Sequence, residues 1–154
     1  MELSQEELKT KINFLMTQID ERISGFTKRR NDNKHKARNF HILVTLLGAL
    51  STIVLGLDLM KYEYLSFFQD NTKNIALVIS AAITVVSAYN TFFDHKGLWV
   101  NYTNTRNDLY ALKFDIDFYL QGNENLEHKE ITQFKDRYSE LLDRANQKWS
   151  KLRV

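Results

Sequence analysis

The chain of 154 residues contains no cysteine, no proline and only five glycines. The absence of cysteine excludes a disulfide framework and a thiolate metal site. The absence of proline removes the strongest helix breaker, and strand patterns and clusters of turn residues are also scarce. Long uninterrupted helices account best for such a sequence. The predicted fold class is therefore all-α.

Sequence motifs for common catalytic chemistry are missing as well. The chain has four histidines, His35, His41, His95 and His128. No two of them have the spacing of three or four residues that places two metal ligands on one helical face. A glycine-rich phosphate loop and a G-x-S-x-G nucleophile turn are also absent from the sequence. We therefore expect a protein that is not an enzyme and that needs neither cofactor nor metal.

Two stretches without any charged residue dominate the sequence, Asn39 to Leu57 and Asn74 to Phe93. A helix of roughly 20 apolar residues spans the ~30 Å hydrocarbon core of a bilayer. The 16 residues between them, Asp58 to Lys73, allow the chain to cross and return. The sequence predicts an integral membrane two-helix hairpin. The alternative is a soluble bundle in which both stretches are fully buried helices. Helices of a small soluble bundle normally show a polar face, and from Ile42 onward the first stretch has only threonine, serine and glycine in place of one.

The basic residues predict the orientation of this hairpin. Six of them precede the first stretch: Lys28, Arg29, Arg30, Lys34, Lys36 and Arg38. Only Asp32 opposes them there, whereas the segment between the stretches has two basic and three acidic residues. The positive-inside rule places both termini in the cytoplasm. A nucleic-acid site is the alternative for this basic run, but its position beside a span favours contact with an anionic lipid bilayer.

Aromatic and polar residues lie at the ends of the predicted spans. Phe40 lies at one side, and four aromatic residues lie at the other, Tyr62, Tyr64, Phe67 and Phe68. Such residues anchor spans at the membrane interface. The sequence Asp94-His95-Lys96 at the end of the second span also fits interfacial anchoring, with a proton relay as the alternative. Because no breaker precedes Gly97, we expect the following segment to continue this span.

Three amphipathic segments, within residues 1–38 and 94–154, are predicted to form a cytoplasmic helical bundle. Ser4 and Glu7 have the spacing of a capping box, and Gly25 is expected to loosen the end of the first helix. The clearest turn is Gln121 to Asn125. The apolar positions follow steps of three and four: Leu8, Ile12, Leu15, Ile19, Ile23 and Phe26; Leu98, Tyr102, Leu109, Leu112, Ile116 and Tyr119; Ile131, Phe134, Tyr138, Leu141, Ala145, Trp149 and Leu152.

Small and hydroxyl residues form a stripe in each predicted span. The first stripe, Thr45, Gly48, Thr52 and Gly56, has the small-xxx-small spacing that lets helices approach closely. The second is Ser80, Thr84, Ser87 and Thr91. It fits either tight packing or a weakly polar pore lining. Two helices cannot enclose a pore, so a pore needs a homo-oligomer. No ionisable residue lies at mid-depth, which disfavours an ion-coupled transporter.

The order of these parts resembles the SLATT superfamily of bacterial two-span membrane effectors. The motif of that family matches the chain at Trp99, Tyr102, Arg106, Leu109, Tyr119 and Gly122. Arg106 follows Tyr102 by four residues, which is wider than the usual family spacing, so no subfamily is assigned. The resemblance covers the chain as a single SLATT-like domain, 1–154, with spans 39–57 and 74–93.

The resemblance implies a function in bacterial antiviral defence. SLATT proteins are associated with nucleotide-centred conflict systems that include a nucleotidyltransferase or a reverse transcriptase. They are proposed to disrupt the inner membrane as pore-forming effectors once a partner protein senses infection. Two other functions fit the residues, a membrane-anchored scaffold that recruits a cytoplasmic partner and a soluble helical interaction bundle.

Overall fold

The computed structural model describes residues 4–57, 66–123 and 125–152. These residues are almost entirely helical and contain no strand, so the predicted all-α class is confirmed. The described helices are α1 (Gln5–Leu57), α2 (Ser66–Phe93), α3 (His95–Gly122) and α4 (His128–Lys151).

The chain divides into two compact units. The first, here called the bundle unit, consists of Met1–Asn33 and Lys96–Val154. The second, here called the hairpin unit, is Lys34–His95. Helix α1 contributes residues to both units, while α4 belongs to the bundle unit alone.

Helix α1 is 53 residues long and does not end near Gly25, so that prediction is wrong. A glycine inside a helix costs only about 1 kcal/mol relative to alanine. The apolar neighbours Ile23 and Phe26 pack into the bundle core and offset this cost. The lysine and arginine residues that follow are good helix formers, so the helix continues through the basic run.

Helix α2 begins at Ser66, eight residues before the predicted start of the second span. The predicted loop, 58–73, is therefore too long, because its last eight residues, 66–73, belong to α2. Residues 66–73 contain neither glycine nor proline, so nothing in the sequence breaks the helix there. The remainder of that loop, 58–65 with Tyr62 and Tyr64, lies outside the described residues, as do the side chains of Phe67 and Phe68.

The capping box before α1 is confirmed. The backbone N–H of Glu7 donates to the Ser4 hydroxyl at 3.3 Å, and the backbone N–H of Ser4 donates to the Glu7 carboxylate at 2.9 Å. Two backbone donors at the start of the helix are thereby satisfied. Helix α3 ends at Gly122, inside the predicted turn.

The three predicted apolar stripes meet in one core within a single chain. Ile19, Leu109, Leu112 and Ile116 are completely buried. Phe26, Tyr119 and Tyr138 are partly buried against this core. The last part of the third stripe is an exception, because Trp149 is 37% exposed. The other buried members of the core cluster are Leu8, Ile12, Leu15, Ile23, Leu126, Ile131, Phe134 and Leu141.

Polar contacts fix the register of α1 against α3. The Gln5 side chain donates to the carbonyl of Leu126 at 3.1 Å and accepts from its N–H at 2.9 Å. Farther along, Lys113 Nζ donates to both carboxylate oxygens of Asp20 at 2.6 and 2.8 Å. The two helices are therefore antiparallel.

The hydrogen bond from Lys113 to Asp20 is the main reason why the pKa of Lys113 is raised, although desolvation acts in the opposite direction. The raised pKa means that this contact stabilises the folded chain while the ammonium group is protonated. That contribution is lost as the pH rises through the raised pKa. Both side chains are partly exposed, so its size is at most about 1 kcal/mol.

Two isoleucines on α1 test which part of this helix carries the core. Ile19 is fully buried in the bundle unit, whereas Ile53 in the hairpin unit is 60% exposed. We expect Ile19→Ala to lower the free energy of unfolding by about 3 kcal/mol, because it leaves a cavity in the core. The matched change Ile53→Ala removes the same atoms and should cost much less. Urea unfolding of the detergent-solubilised chain, followed by tryptophan fluorescence, measures both; equal losses would contradict this core.

Candidate membrane hairpin

Two described helical stretches are long and apolar enough to cross a membrane, one within Gln5–Gly56 and one within Asn71–Gly122. The most apolar 18-residue window of the first has none of its residues buried, and that of the second has 11%. Large apolar side chains are exposed along both helices. They include Ile42, Leu46, Leu50, Leu77, Val78, Val85 and Phe92.

Phe40 lies near the start of the hairpin unit and Tyr89 near its end, and their ring centroids are 5.3 Å apart. Helices α1 and α2 therefore run antiparallel in this unit. One side of each helix is covered. On α1 the partly buried residues are Phe40, Val44, Leu47, Gly48, Ser51 and Val54. On α2 Ala76 and Ile79 are buried, and Ile83, Val86 and Asn90 are partly buried.

The small-residue stripe of α1 is open within the chain. A Cβ atom added at Gly48 or Gly56 would meet nothing within 4 Å. The hydroxyl of Thr45 donates to the carbonyl of His41 at 2.8 Å, and that of Thr52 donates to Gly48 at 3.1 Å. The stripe therefore has its hydroxyl donors satisfied. Thr45, Thr52 and Gly56 are exposed, and Gly48, at the edge of the covered side, is partly buried but has room for a Cβ atom.

The hydroxyl stripe of α2 is also mostly exposed. Ser80, Thr84 and Thr91 are exposed, and Ser87 is partly buried. The hydroxyls of Thr84 and Thr91 donate to the carbonyls of Ser80 and Ser87, both at 3.0 Å. Each threonine donor is satisfied inside its own helix, while its oxygen still has the capacity to accept a hydrogen bond.

Both stripes lie on the same side of the hairpin. Successive residues of a helix are rotated by roughly 100°. In both helices the stripe residues follow covered residues by about one position, so each stripe is rotated by about that angle from the covered side. Antiparallel helices turn in opposite senses when they are viewed from one end. Equal displacements along the two chains therefore point to the same side. The hairpin unit presents one combined face of small and hydroxyl residues.

Aromatic rings surround His95 at the end of the hairpin unit. The His95 ring is buried and is stacked on Phe40 and on Phe93, with centroids 5.7 and 5.9 Å away. Asp94 has a φ angle of 35° and separates α2 from α3. A single residue thus interrupts the continuous helix that the sequence predicts, and aspartate is among the residues that best tolerate this backbone region.

The residues of the family motif all lie on α3, in the bundle unit. Leu109 is fully buried, and the ring centroids of Tyr102 and Phe26 are 5.9 Å apart. The Tyr119 hydroxyl accepts a hydrogen bond from the N–H of Glu127 at 2.9 Å. The remaining three are Trp99 and Arg106, which are partly buried, and Gly122 at the end of the helix. The motif thus contributes mainly to packing within the bundle unit.

Two apolar surfaces of the bundle unit were not predicted from the sequence. Phe114 and Phe118 are 68% and 71% exposed, although they lie in the same helix as the core stripe. Their spacing of four residues on a second face of α3 is the signal that could have identified them. Phe14 is likewise exposed, beside an open groove between α1 and α4.

Clusters of metal ligands are not found among the residues that the structure describes, since no three histidine, aspartate or glutamate side chains converge there. Comparisons of the chain with protein-family models, with curated proteins and with solved structures found no match.

Gly56 allows a test of whether other copies cover the combined face. Because a Cβ atom added there meets no atom of the described residues within 4 Å, Gly56→Leu should leave the fold intact. It should nevertheless shift the protein to smaller assemblies, since it separates helices that would pack at this face. Light scattering, with the detergent mass subtracted, measures the assembly. Gly25→Leu is the matched control, because Gly25 is equally open but lies in the bundle unit. An unchanged Gly56→Leu assembly would contradict packing at this face.

Proposed function

We propose that this chain is a two-span protein of the bacterial inner membrane that assembles into a pore when a defence system is triggered. Residues 39–57 and 74–93 would be the spans, and both termini would lie in the cytoplasm. The observation that carries the membrane assignment is the exposure of the two apolar windows.

The exposed apolar surface argues against a soluble monomer. The core helix of a soluble protein is mostly buried, whereas the hairpin unit exposes leucine, isoleucine, valine and phenylalanine side chains along both helices. Exposed apolar surface costs about 25 cal/mol per Å² in water. A bilayer removes that cost, and the intrahelical hydrogen bonds satisfy the backbone there.

The combined face supports assembly and a pore. Two helices cannot enclose a water-filled path, so several hairpins must each contribute a side. We expect at least four chains. The small residues allow close approach between neighbours, and the hydroxyl oxygens of Thr84 and Thr91 still have the capacity to accept hydrogen bonds from water. These features fit a weakly polar lining next to a tight helix contact.

The resemblance to SLATT proteins supports the defence role. In that role the chain would be an effector without enzymatic activity, cofactor or nucleic-acid site of its own. A separate sensor, nucleotidyltransferase or reverse transcriptase would provide the signal. The basic run on α1, beside the first span, would contact anionic lipid headgroups.

A membrane-anchored scaffold is the second candidate function. The hydroxyl donors of Thr84 and Thr91 are satisfied by their own helix, so this stripe is compatible with lipid as well as with water. In that case the hairpin unit serves only as an anchor, and the bundle unit binds a cytoplasmic partner.

The triple variant Ser80→Ala, Thr84→Ala, Ser87→Ala separates the two functions. It keeps the side chains small but removes hydrogen-bonding groups, and an apolar constriction tends to lose its water. We expect normal insertion and assembly, several-fold slower dye release from liposomes and lower toxicity on overexpression. The matched control removes three hydroxyls from the bundle unit, at Thr17, Ser24 and Ser150, and should leak like the original chain.

Two results would contradict the pore lining. Dye release by the triple variant at the original rate would mean that the stripe serves only for packing. The absence of release from the original chain, with or without triggering, would favour the scaffold instead.

A further inference from the structure

An exposed aromatic patch lies on the outer side of α3 in the bundle unit. We define this aromatic patch as Tyr110, Phe114 and Phe118, which are 51%, 68% and 71% exposed. The rings of Phe114 and Phe118 stack with centroids 6.4 Å apart. Both residues are two positions from Ile116 in the core, or roughly 200° round the helix. The patch therefore faces directly away from the core.

An apolar groove lies between α1 and α4 in the same unit. This α1–α4 groove has a volume of about 710 Å³, and its apolar lining includes Phe14, Leu15, Ile131 and Tyr138. Two lysines, Lys11 and Lys135, also line it, together with His128 but with no acidic residue. Since no residue of α3 contributes to the lining, the groove and the aromatic patch lie on opposite sides of the bundle unit.

The patch and the groove lie at the same height along the bundle unit. Phe14 and Leu15 lie between Gln5, which contacts Leu126, and Asp20, which contacts Lys113. The α1 side of the groove is therefore level with the part of α3 that contains Phe114 and Phe118. On the other side, Phe134 lies between the lining residues Thr132 and Lys135 in the sequence, and its ring centroid is 5.6 Å from that of Tyr119. The α4 side is thus at this height as well.

We propose that the aromatic patch of one chain docks into the α1–α4 groove of the next chain. This inference rests on the proposed function in one respect, because chains that share a membrane have the same orientation and height. Only surfaces at matching heights meet under that constraint. A contact between opposite sides of a subunit is head-to-tail. Such contacts form a ring if the rotation between neighbours closes, and an open row if it does not.

Charge complementarity identifies a second copy as the occupant of the groove. The acidic side chain of Asp117 lies beside the patch, next to Phe118 in the sequence, whereas the charged lining of the groove is basic. Another acidic residue near the patch, Asp115, is already paired with Arg137 at 2.9 Å. Lys135 has only a long contact of 3.5 Å with Asp136, and both side chains are exposed. The charge of Asp117 also acts on Lys113 of its own chain, but that lysine donates its hydrogen bonds to Asp20. Asp117 of one chain is thus suited to pair with Lys135 or Lys11 of the next.

The patch also has the composition of an interface centre. Each phenylalanine offers about 150–250 Å² of surface, and aromatic residues dominate the energetics of protein interfaces. Three exposed aromatic side chains form a patch of a few hundred Å², the size at which apolar surface marks interaction sites. Tethering in one membrane raises the effective concentration of neighbouring copies, so a contact of this size suffices.

Cysteine crosslinking tests the contact, because the chain has no cysteine of its own. The double variant Gln121→Cys, Thr132→Cys places one thiol on the face of α3 that carries the patch and one in the groove, and it keeps all three aromatic side chains. Treatment of membranes that contain the full chain with a short bismaleimide should give a ladder of crosslinked products with two, three and more chains. Each single variant should remain monomeric, since a head-to-tail contact brings two different positions together.

The control double variant combines Gln121→Cys with Ser24→Cys, an exposed position that does not line the groove. It should give no ladder. The proposal is wrong if Gln121→Cys alone forms dimers, because that result indicates patch-to-patch contact. It is also wrong if the control pair crosslinks as well as the test pair.

Charge exchange provides the second arm of the test. In the crosslinking background, Asp117→Lys should slow ladder formation, by at most about fivefold as expected for a surface ion pair. Combination with Lys135→Asp should restore the original rate, whereas combination with Lys129→Asp, outside the groove, should not. Failure of Lys135→Asp to rescue, with Lys11→Asp equally ineffective, would overturn the pairing.

Dye release separates this contact from the proposed pore. A ladder without dye release would support the contact and contradict the pore. Dye release without a ladder would support the pore and contradict the contact. Phe118→Ser, which changes an exposed side chain and should leave the thermal unfolding midpoint unchanged, should reduce both assembly and dye release if the two are linked.

Discussion

The hairpin unit exposes apolar side chains along the second half of α1 and along α2. Whether this surface lies in water or in a bilayer determines its stability and the way in which copies of the chain can meet. In water such a surface favours aggregation or burial by a partner. In a bilayer it is stable, because the helices satisfy their own backbone groups and their threonine hydroxyls donate to preceding carbonyls. A bilayer would also restrict how copies of the chain can meet, since all of them would share one plane.

The bundle unit folds by ordinary helix packing. Residues of α1, α3 and α4 bury one continuous apolar core, and polar contacts such as Gln5 with Leu126 set the register. The family-motif residues Tyr102, Leu109 and Tyr119 belong to this packing. Their role here is to hold α3 in place, which leaves Phe114 and Phe118 on its opposite side free to contact another molecule.

Periodicity and capping could be predicted from the sequence because both depend on local spacing. The Ser4–Glu7 capping box and the apolar steps from Leu8 to Ile23 follow directly from helical geometry. Helix boundaries could not be predicted as well. Gly25 weakens a helix only slightly, and packing of its neighbours decides the outcome. The start of α2 at Ser66 was also missed, although Ser66 and Gln69 have the spacing of a capping box.

The candidate site was only partly accessible to sequence analysis. The stripes that contain Gly48 and Ser80 are visible as spacings. Their position on one side of the hairpin depends on which faces of α1 and α2 meet. The α1–α4 groove depends likewise on three helices brought together by tertiary packing, so no local pattern around Phe14 or Ile131 could identify it.

Topology mapping tests the central claim, two crossings of the membrane, most directly. Single cysteines at positions 4, 66 and 150 provide one site before, between and after the proposed spans. On intact cells, a membrane-impermeant maleimide should label only position 66, and all three should react once the cells are lysed. Labelling of position 150 with position 66 silent would reverse the orientation. Protection of all three on intact cells, with extraction of the chain from membranes in the absence of detergent, would contradict a membrane-spanning hairpin.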